Sequence, residues 1–240
     1  MNILLKIPIL FQKGFSPTIL NILTICILFI PNLCLSRTFE QDTNQDGKID
    51  QIAHLDEQGK IAKLEVDSNA DGVMDKFQYY LEEQLIRVER DSDYDKRIDS
   101  RDYLKDGKRI RQERNSHSTG KIDQIIHFDD QERPLKIEKD TTHDNRFDTI
   151  YHYKEGKLIS STRDTDGDGK INVWQTYRGD KPLERRVDNN GDGRVERIVF
   201  YDDKGYPKES RHDLDKDGKR EVVRIYCRGM LQKEKKDKNG

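Results

Sequence analysis

Short groups of hydrophobic residues alternate with polar stretches rich in Asp, Asn and Gly from residue 42 to residue 227. Within a group the apolar side chains stand three apart, as in Ile49, Ile52 and Leu55, and β-branched and aromatic residues are frequent. A turn sequence such as EQGK and a second segment such as IAKLEV follow. This composition favours strands over helices. We predict units of loop, strand, tight turn and returning strand, with apolar residues on both faces of the sheet.

The units recur with a nearly constant period. Their opening residues are Asp42, Asp67, Asp91, Asn115, Asp140, Asp164, Asp188 and Asp213, with a ninth opening at Asp237. The successive steps are 25, 24, 24, 25, 24, 24, 25 and 24 residues, which is the signature of a repeat array. We therefore predict an all-β fold. About eight β-hairpin repeats of 24–25 residues are expected to form an elongated antiparallel meander or solenoid-like sheet, as a single domain over residues 37–240.

The composition predicts a thin fold. Of the 240 residues, 38% are charged and only 32% are hydrophobic, so a thick globular core would be undersupplied. Charge of both signs is spread over all the repeats, which argues against a disordered acidic tail.

The first 36 residues differ from the repeats. Lys6 and Lys13 are their only charged residues, and an apolar run and small residues follow. This order predicts a signal peptide over residues 1–36. Two alternatives stay open: an uncleaved N-terminal anchor, because the uncharged stretch approaches the ~20 residues that span a bilayer, and a lipoprotein signal with lipidation at Cys34. All three predict export of residues 37–240 to the periplasm, the cell surface or the medium.

Cysteine usage points to a metal as the stabilising element. Cys227 is the only cysteine beyond the leader, so the exported part has no partner for an internal disulfide. Exported domains with a small core are commonly stabilised by disulfides or by metal ions. Metal binding is therefore the expectation that remains.

The loops carry the spacing of a calcium site. Counting the opening residue as position 1, oxygen-bearing side chains stand at positions 1, 3, 5 and 9, and glycine stands at position 6 in most copies. This is the oxygen spacing that wraps around a hard cation, with the backbone carbonyl of position 7 as a further ligand. An EF-hand would continue with Glu at the twelfth position and a helix, whereas Gln175 fills that position in the sixth repeat and a strand-like segment follows.

Five repeats supply the predicted calcium ligands. Repeats one and two are complete, with Asp42, Asn44, Asp46 and Asp50, then Asp67, Asn69, Asp71 and Asp75. Repeats six, seven and eight are nearly so, with Asp164, Asp166, Asp168 and Asn172, then Asp188, Asn190, Asp192 and Glu196, then Asp213, Asp215, Asp217 and Glu221. Repeat three has Lys96 in place of the glycine, which predicts a strained or altered turn. Repeat five has Thr142 at position 3 and Asn145 at position 6, and asparagine tolerates the left-handed conformation better than lysine does. Repeats three and five are therefore two further candidate sites, whereas repeat four lacks the carboxylates for a site.

A simpler interpretation of the loops stays open. Asp, Asn and Gly cluster in ordinary turns, where Asp makes local hydrogen bonds. The recurrence in register, with an acidic ninth position in most copies, favours calcium, because a plain turn has no reason to keep that position acidic.

The loops resemble those of known calcium-binding families. Their DxDxDGxxD pattern is similar to the loops of FG-GAP and related β-propeller repeats, and its first six positions resemble thrombospondin type 3 repeats and dockerins. The resemblance covers the loops of residues 42–221 alone, since the repeat is too short for a propeller blade and lacks the paired cysteines of thrombospondin repeats. It implies cation binding in an exported repeat protein of adhesion or surface assembly, and no enzymatic activity.

The sequence predicts a binding or structural role. It contains no nucleophile elbow, phosphate loop or zinc signature, and a pI near 6.3 does not indicate nucleic-acid binding. The expected function is a calcium-stabilised structural or adhesive module whose partner is an extracellular protein or an anionic glycan or envelope surface. The alternatives are a low-affinity calcium buffer or sensor and a non-catalytic envelope assembly factor. Membrane contact is expected only through the N-terminal segment, if it is uncleaved or lipidated.

Overall fold

The computed structural model describes residues 37–116 and 119–236, and the predicted leader lies outside the described residues. The described part is all-β. Its strands are β1 (Arg37–Gln41), β2 (Gln51–Leu55), β3 (Ile61–Val66), β4 (Lys76–Leu81), β5 (Gln84–Arg90), β6 (Ser100–Lys105), β7 (Lys108–Arg114), β8 (Gln124–Phe128), β9 (Pro134–Lys139), β10 (Thr149–Lys154), β11 (Lys157–Arg163), β12 (Val173–Arg178), β13 (Lys181–Val187), β14 (Arg197–Tyr201), β15 (Pro207–His212), β16 (Val222–Cys227) and β17 (Met230–Lys236). These residues include no helix of the length and apolarity needed to cross a bilayer.

The strands form one open antiparallel sheet in chain order. Each strand pairs with the strands that precede and follow it, from β1 with β2 to β16 with β17, which leaves β1 and β17 as the two edges. Within the described residues, strands contact only their neighbours in this order. The predicted all-β meander of hairpin repeats is confirmed, and its stability depends on interfaces between successive units.

All eight hairpins carry a β-bulge in the returning strand, while the forward strands, which contain positions 11 and 14, alternate regularly. The register shifts between positions 13 and 14 in all eight hairpins, for example between Tyr79 and Tyr80, because the returning strand carries one extra residue, here Ile86. Position 8 lies just before each strand, since all eight forward strands begin at position 10. Positions 8, 11 and 14 therefore belong to a loop end and to two different faces, as the spacing predicted.

The variation in repeat length lies at one edge of the sheet. In the hairpins of repeats two, three, five, six and eight the connection is two residues, both with positive φ, as in Asp106 (φ 50°) and Gly107 (φ 75°). Repeats one, four and seven are the 25-residue repeats. Their turns are longer and begin at Asp56, Asp129 and Asp202. In each of these turns the opening Asp Oδ1 accepts two backbone N–H bonds. We call this the turn edge, and the opposite edge, which carries the Asp-rich loops, the loop edge.

The core lies on one face of the sheet. Directly paired residues on neighbouring strands lie on the same face of the sheet. Positions 10 and 12 of the forward strands, together with the residues paired with them, therefore define one face, which we call the core face. Every buried residue within the strands belongs to this core face: Val88, Asp102, Gln112, Ile126, Thr149, Val173, Val187, Ser210, His212 and Val222. The buried Asp102 accepts hydrogen bonds of 2.6 Å from Arg90 and from Gln112. Half of this set is polar or charged, as expected for a thin fold with little apolar material.

The opposite face carries charged networks. Glu65 Oε1 lies 2.6 Å from His54 Nε2 and 3.0 Å from Lys63 Nζ. Glu138 and His127 repeat this contact at 3.0 Å three copies later in the chain. Acidic and basic side chains on neighbouring strands thus compensate each other, and Lys63 Nζ also lies 5.0 Å from the centre of the Phe77 ring.

Candidate metal-binding loops

Eight loops, each covering positions 1–9 of a repeat, lie along the loop edge and are numbered 1 to 8. Backbone hydrogen bonds close loops 1 to 7 and join successive loops. In loop 2 the Asp75 N–H donates to the Val66 carbonyl at 2.9 Å, which closes the loop. The Asp67 N–H donates to the carbonyl of Asp50 in loop 1, also at 2.9 Å. The same bonds recur between successive loops as far as loop 8, so the loops form a continuous row.

Side chains at positions 1, 5 and 9 organise the loop interior. In loop 7, Asp188 accepts the N–H of Gly191 (2.7 Å) and of Gly193 (2.8 Å), and Asp192 accepts the N–H of Arg194 (2.8 Å). Glu196 accepts the N–H of position 2. Equivalent bonds recur in the other loops with carboxylates at these positions. The acidic residues therefore face a common interior, and they also satisfy backbone donors as ordinary turns do.

The ligand positions differ in burial. Four of the five predicted opening Asp residues and four of the five predicted ninth residues are buried: Asp67, Asp164, Asp188, Asp213, Asp50, Asp75, Asn172 and Glu196. Positions 3 and 5 of the predicted sites, such as Asp166 and Asp168, are exposed. Each loop therefore has a protein-facing half, built from positions 1 and 9, and a solvent-facing half, built from positions 3 and 5.

Five loops bring three acidic side chains together, with one oxygen of each lying within 4.8 Å of the others. These groups are Asp42, Asp46 and Asp50; Asp91, Asp93 and Asp99; Asp164, Asp166 and Asp168; Asp188, Asp192 and Glu196; and Asp213, Asp215 and Glu221. Such clusters can hold a metal ion. Four of these five groups lie in loops predicted from the sequence to bind calcium, namely loops 1, 6, 7 and 8. The fifth lies in loop 3, and the described acids of loop 2, the remaining predicted loop, do not form such a group.

Loop 3 keeps the turn despite its lysine. Lys96 has φ 71° and Asn145 of loop 5 has φ 72°, close to the positive values of glycine at the same position. The Lys96 N–H donates to Asp91 at 2.7 Å, as glycine does in the other loops. The expected strain is therefore carried by the lysine backbone, and the loop geometry is unaltered.

Unpartnered buried oxygens in loops 2, 3 and 8 fit a cation. The Oδ1 atoms of Asp67, Asp91 and Asp213 are buried and have no hydrogen-bond partner, and the same holds for Glu221 Oε2. Their Asp residues are each only 6% exposed. A buried carboxylate oxygen without a donor is energetically costly, and a bound cation removes this cost. In loop 4 the corresponding residue, Asn115, instead has an unpartnered buried N–H donor, Nδ2, which does not suit a cation.

The loop hydrogen bonds favour the ionised acids. Arg194 donates its N–H to Asp192, and this bond is the main cause that lowers the pKa of Asp192 below its ordinary value. Burial raises the pKa of Asp164, but the N–H groups of Gly169 and Gly167 outweigh it and the net shift is downward. The ionised carboxylate is the form that binds a metal ion, so the lowered pKa values favour metal binding.

Two further loop positions were missed in the sequence. Position 2 is Thr in loops 1, 5 and 6, and its hydroxyl donates to the ninth residue, as from Thr141 Oγ1 to Asp148 at 2.8 Å and from Thr165 Oγ1 to Asn172 at 3.0 Å. Position 7 is Lys or Arg in every loop except loop 2, which has Val73. Recurrence at a fixed position was a signal for both, but Thr and Lys are common in turns and do not suggest chemistry by themselves.

Comparisons with known proteins identify no family. The chain matches no protein-family model and no curated protein. Among solved structures it is similar to the "Crystal Structure of TarM", with 19% identity, a TM-score of 0.26 and coverage of 56% of this chain. It is also similar to a mutant of S. aureus TarM in complex with Fondaparinux, alpha-GlcNAc-glycerol and UDP, with 20% identity, a TM-score of 0.24 and coverage of 48% of this chain. The match spans 20% of each of those chains.

Proposed function

We propose that this protein is an exported calcium-binding repeat module whose cation-filled loops stiffen a β-sheet that serves a structural or adhesive role. The side chains at positions 1, 3, 5 and 9 of loops 1, 2, 6, 7 and 8, with the carbonyl of position 7, would hold the ions. Calcium would supply positive charge and cross-link the two halves of each loop. Export rests on the leader-like residues 1–36.

The observation that carries the proposal is the set of buried, unpartnered carboxylate oxygens. Loop 8 contains two of them, Asp213 Oδ1 and Glu221 Oε2, and both residues belong to one acidic cluster. The donor set of the predicted ligands consists of oxygen atoms of carboxylates, amides and a carbonyl, which suits a hard cation. Calcium is favoured over magnesium because it accepts six to eight oxygens in flexible geometry, whereas magnesium needs near-ideal octahedral geometry.

A module is favoured over a buffer because the loops belong to the backbone framework of the sheet. The Asp188 N–H donates to the Asn172 carbonyl, and each forward strand follows directly from a ninth position. An ion that orders one loop therefore also orders the junction between two hairpins. A buffer would not require this coupling between binding site and sheet.

The test is a thermal melt of the purified protein in chelator, in ~1 mM calcium and in ~1 mM magnesium. For sites of ~0.1 mM affinity, each occupied loop contributes about 1.4 kcal/mol at this calcium concentration. Five such sites contribute about 7 kcal/mol, which is comparable with the whole stability of an ordinary domain. We expect a large rise of Tm in calcium and a smaller rise in magnesium. Identical melts in chelator and in calcium would leave the loops as plain turns.

A further inference from the structure

An exposed row of basic side chains follows the loop edge. Position 7 is exposed in all eight loops and is basic in seven of them, which defines the basic row: Lys48, Arg97, Lys121, Arg146, Lys170, Arg194 and Lys219. The sequence as a whole has a net charge of −2, so this alignment of one sign of charge is a property of the edge and not of the composition.

The row is evenly spaced because the loops do not vary in length. All extra residues lie at the turn edge, and every loop spans nine positions. Successive loops are separated by two strands, which corresponds to about 9.6 Å. Neighbouring loops also touch directly, since Lys48 Nζ lies 3.3 Å from the Asp71 carbonyl oxygen of loop 2.

The acid at position 5 is the local counter-charge of the row. Lys170 Nζ lies 4.0 Å from Asp168 Oδ2, and Lys219 Nζ lies 3.8 Å from Asp217 Oδ2. The two lysine side chains are 74% and 66% exposed, so these contacts hold them only weakly. Cations bound in loops 6 and 8, through Asp168 and Asp217 respectively, would neutralise these carboxylates. The two lysine ammonium groups would then be available to another anion.

We propose that the loop edge binds a linear polysaccharide that carries carboxylate groups, through the basic row and the neighbouring loop cations. The cation part of this inference rests on the proposed function. Five loop oxygens fall short of the six to eight that calcium accepts, so each ion retains room for an external carboxylate oxygen. Each loop would then offer a cation and a basic side chain together, repeated along the edge.

The edge is less suited to nucleic acid. Binding of single-stranded nucleic acid uses aromatic side chains on which bases stack, and Tyr94 is the only Phe, Tyr or Trp at positions 3–7 of the eight loops. One basic side chain per ~9.6 Å is also sparse against a strand that carries one charge per ~3.4 Å. A polymer with widely spaced acid groups matches the row better.

The test uses size-defined hyaluronan, a linear polysaccharide with one carboxylate per disaccharide, and calorimetric titration at saturating calcium. The variant K170Q/R194Q/K219Q removes three members of the row from contiguous loops, and Val73 of loop 2 shows that the loop accepts an uncharged residue there. In loop 2 the Val73 N–H still donates to Asp71, at 2.8 Å, as the basic residue of position 7 does in other loops. We expect about tenfold weaker polysaccharide binding, taking each lost exposed ion pair at its usual magnitude.

The matched control is K154Q/K157Q/K204Q, which makes the same charge change at exposed positions on the turn edge. Equal losses in the two triple variants, or no loss in either, would overturn the proposal. A single-stranded DNA oligonucleotide of equal charge that binds as tightly as hyaluronan would overturn the choice of ligand.

The calcium isotherm of each variant is recorded first, which separates the two proposals. Absence of calcium binding by the unchanged protein would overturn the proposed function and the bridging cations with it. Calcium binding without row-dependent polysaccharide binding would overturn only the present inference.

Discussion

The backbone N–H of Asp213 donates to the carbonyl oxygen of Glu196 at 2.8 Å, which ties the opening residue of loop 8 to the ninth residue of loop 7. Both residues are buried, and both belong to acidic clusters of their own loops. Arg220 Nη2 adds a second contact, 2.7 Å from the Val195 carbonyl oxygen, so the two loops are joined both by backbone and by side chain.

Replacing Asp213 by Asn tests the role of the unpartnered oxygen. The amide can still accept the Gly218 N–H bond, now 2.8 Å, but it removes the buried charge of Oδ1. We expect the calcium stoichiometry to fall by about one and Tm in calcium to fall. In chelator Tm should stay equal or rise, because an uncompensated buried charge is lost. Calcium titration and melts check this, with exposed Asp203→Asn as the control; indistinguishable variants would contradict the ligand assignment.

Replacing Lys96 by Gly tests the strain in loop 3. Lysine at φ 71° carries a steric cost that glycine avoids, although glycine gains entropy in the unfolded chain. We expect a net stabilisation of about 0.5–1 kcal/mol in chelator. Urea unfolding measures it. Arg97→Gly, at the neighbouring position where no positive φ is needed, should destabilise, and a gain of stability there would refute the explanation.

Replacing Val222 by Ala tests the core face. Val222 is 1% exposed and begins β16, so truncation leaves a cavity next to loop 8. We expect a loss of about 2 kcal/mol in the free energy of unfolding. Val73→Ala, at a loop position that is 38% exposed, should change the free energy by less than ~0.5 kcal/mol. Similar losses in both variants would mean that burial on this face does not control stability.

Acid should weaken the charged face. Burial raises the pKa of Glu65, but the hydrogen bonds from Lys63 and His54 outweigh it, so its pKa lies below the ordinary value. A carboxyl with a depressed pKa in the folded state stabilises at pH above about 4.5, and this stability is lost as pH falls toward its folded pKa. Glu138 has the same arrangement and direction of shift.

The double variant E65Q/E138Q should therefore lose stability at pH 7 and show a smaller decrease between pH 7 and pH 4 than the unchanged protein. Urea midpoints in chelator at the two pH values measure this. Exposed Glu155→Gln serves as the control. A double variant whose pH dependence equals that of the unchanged protein would contradict the assignment.

Local signals in the sequence determined the repeat, the strands, the turns and the position of the Asp-rich loops. Each depends on residues close in the chain: β-branched and aromatic runs for strands, glycine for positive φ, and Asp at fixed spacing for oxygen-lined loops. For this reason the period from Asp42 to Asp213 predicted about eight hairpins in an antiparallel meander or a solenoid-like sheet, and the structure shows the open meander.

The tertiary structure decided which loops gather their acids and what each face exposes. Loop 3 gathers Asp91, Asp93 and Asp99 although its lysine suggested an altered turn, because the surrounding hydrogen bonds hold Lys96 at positive φ. Pairing between strands buries Val222 while it leaves the position-7 residues exposed in one row. Burial on one face and the alignment of this row depend on contacts between residues of different repeats, which spacing within one repeat does not contain.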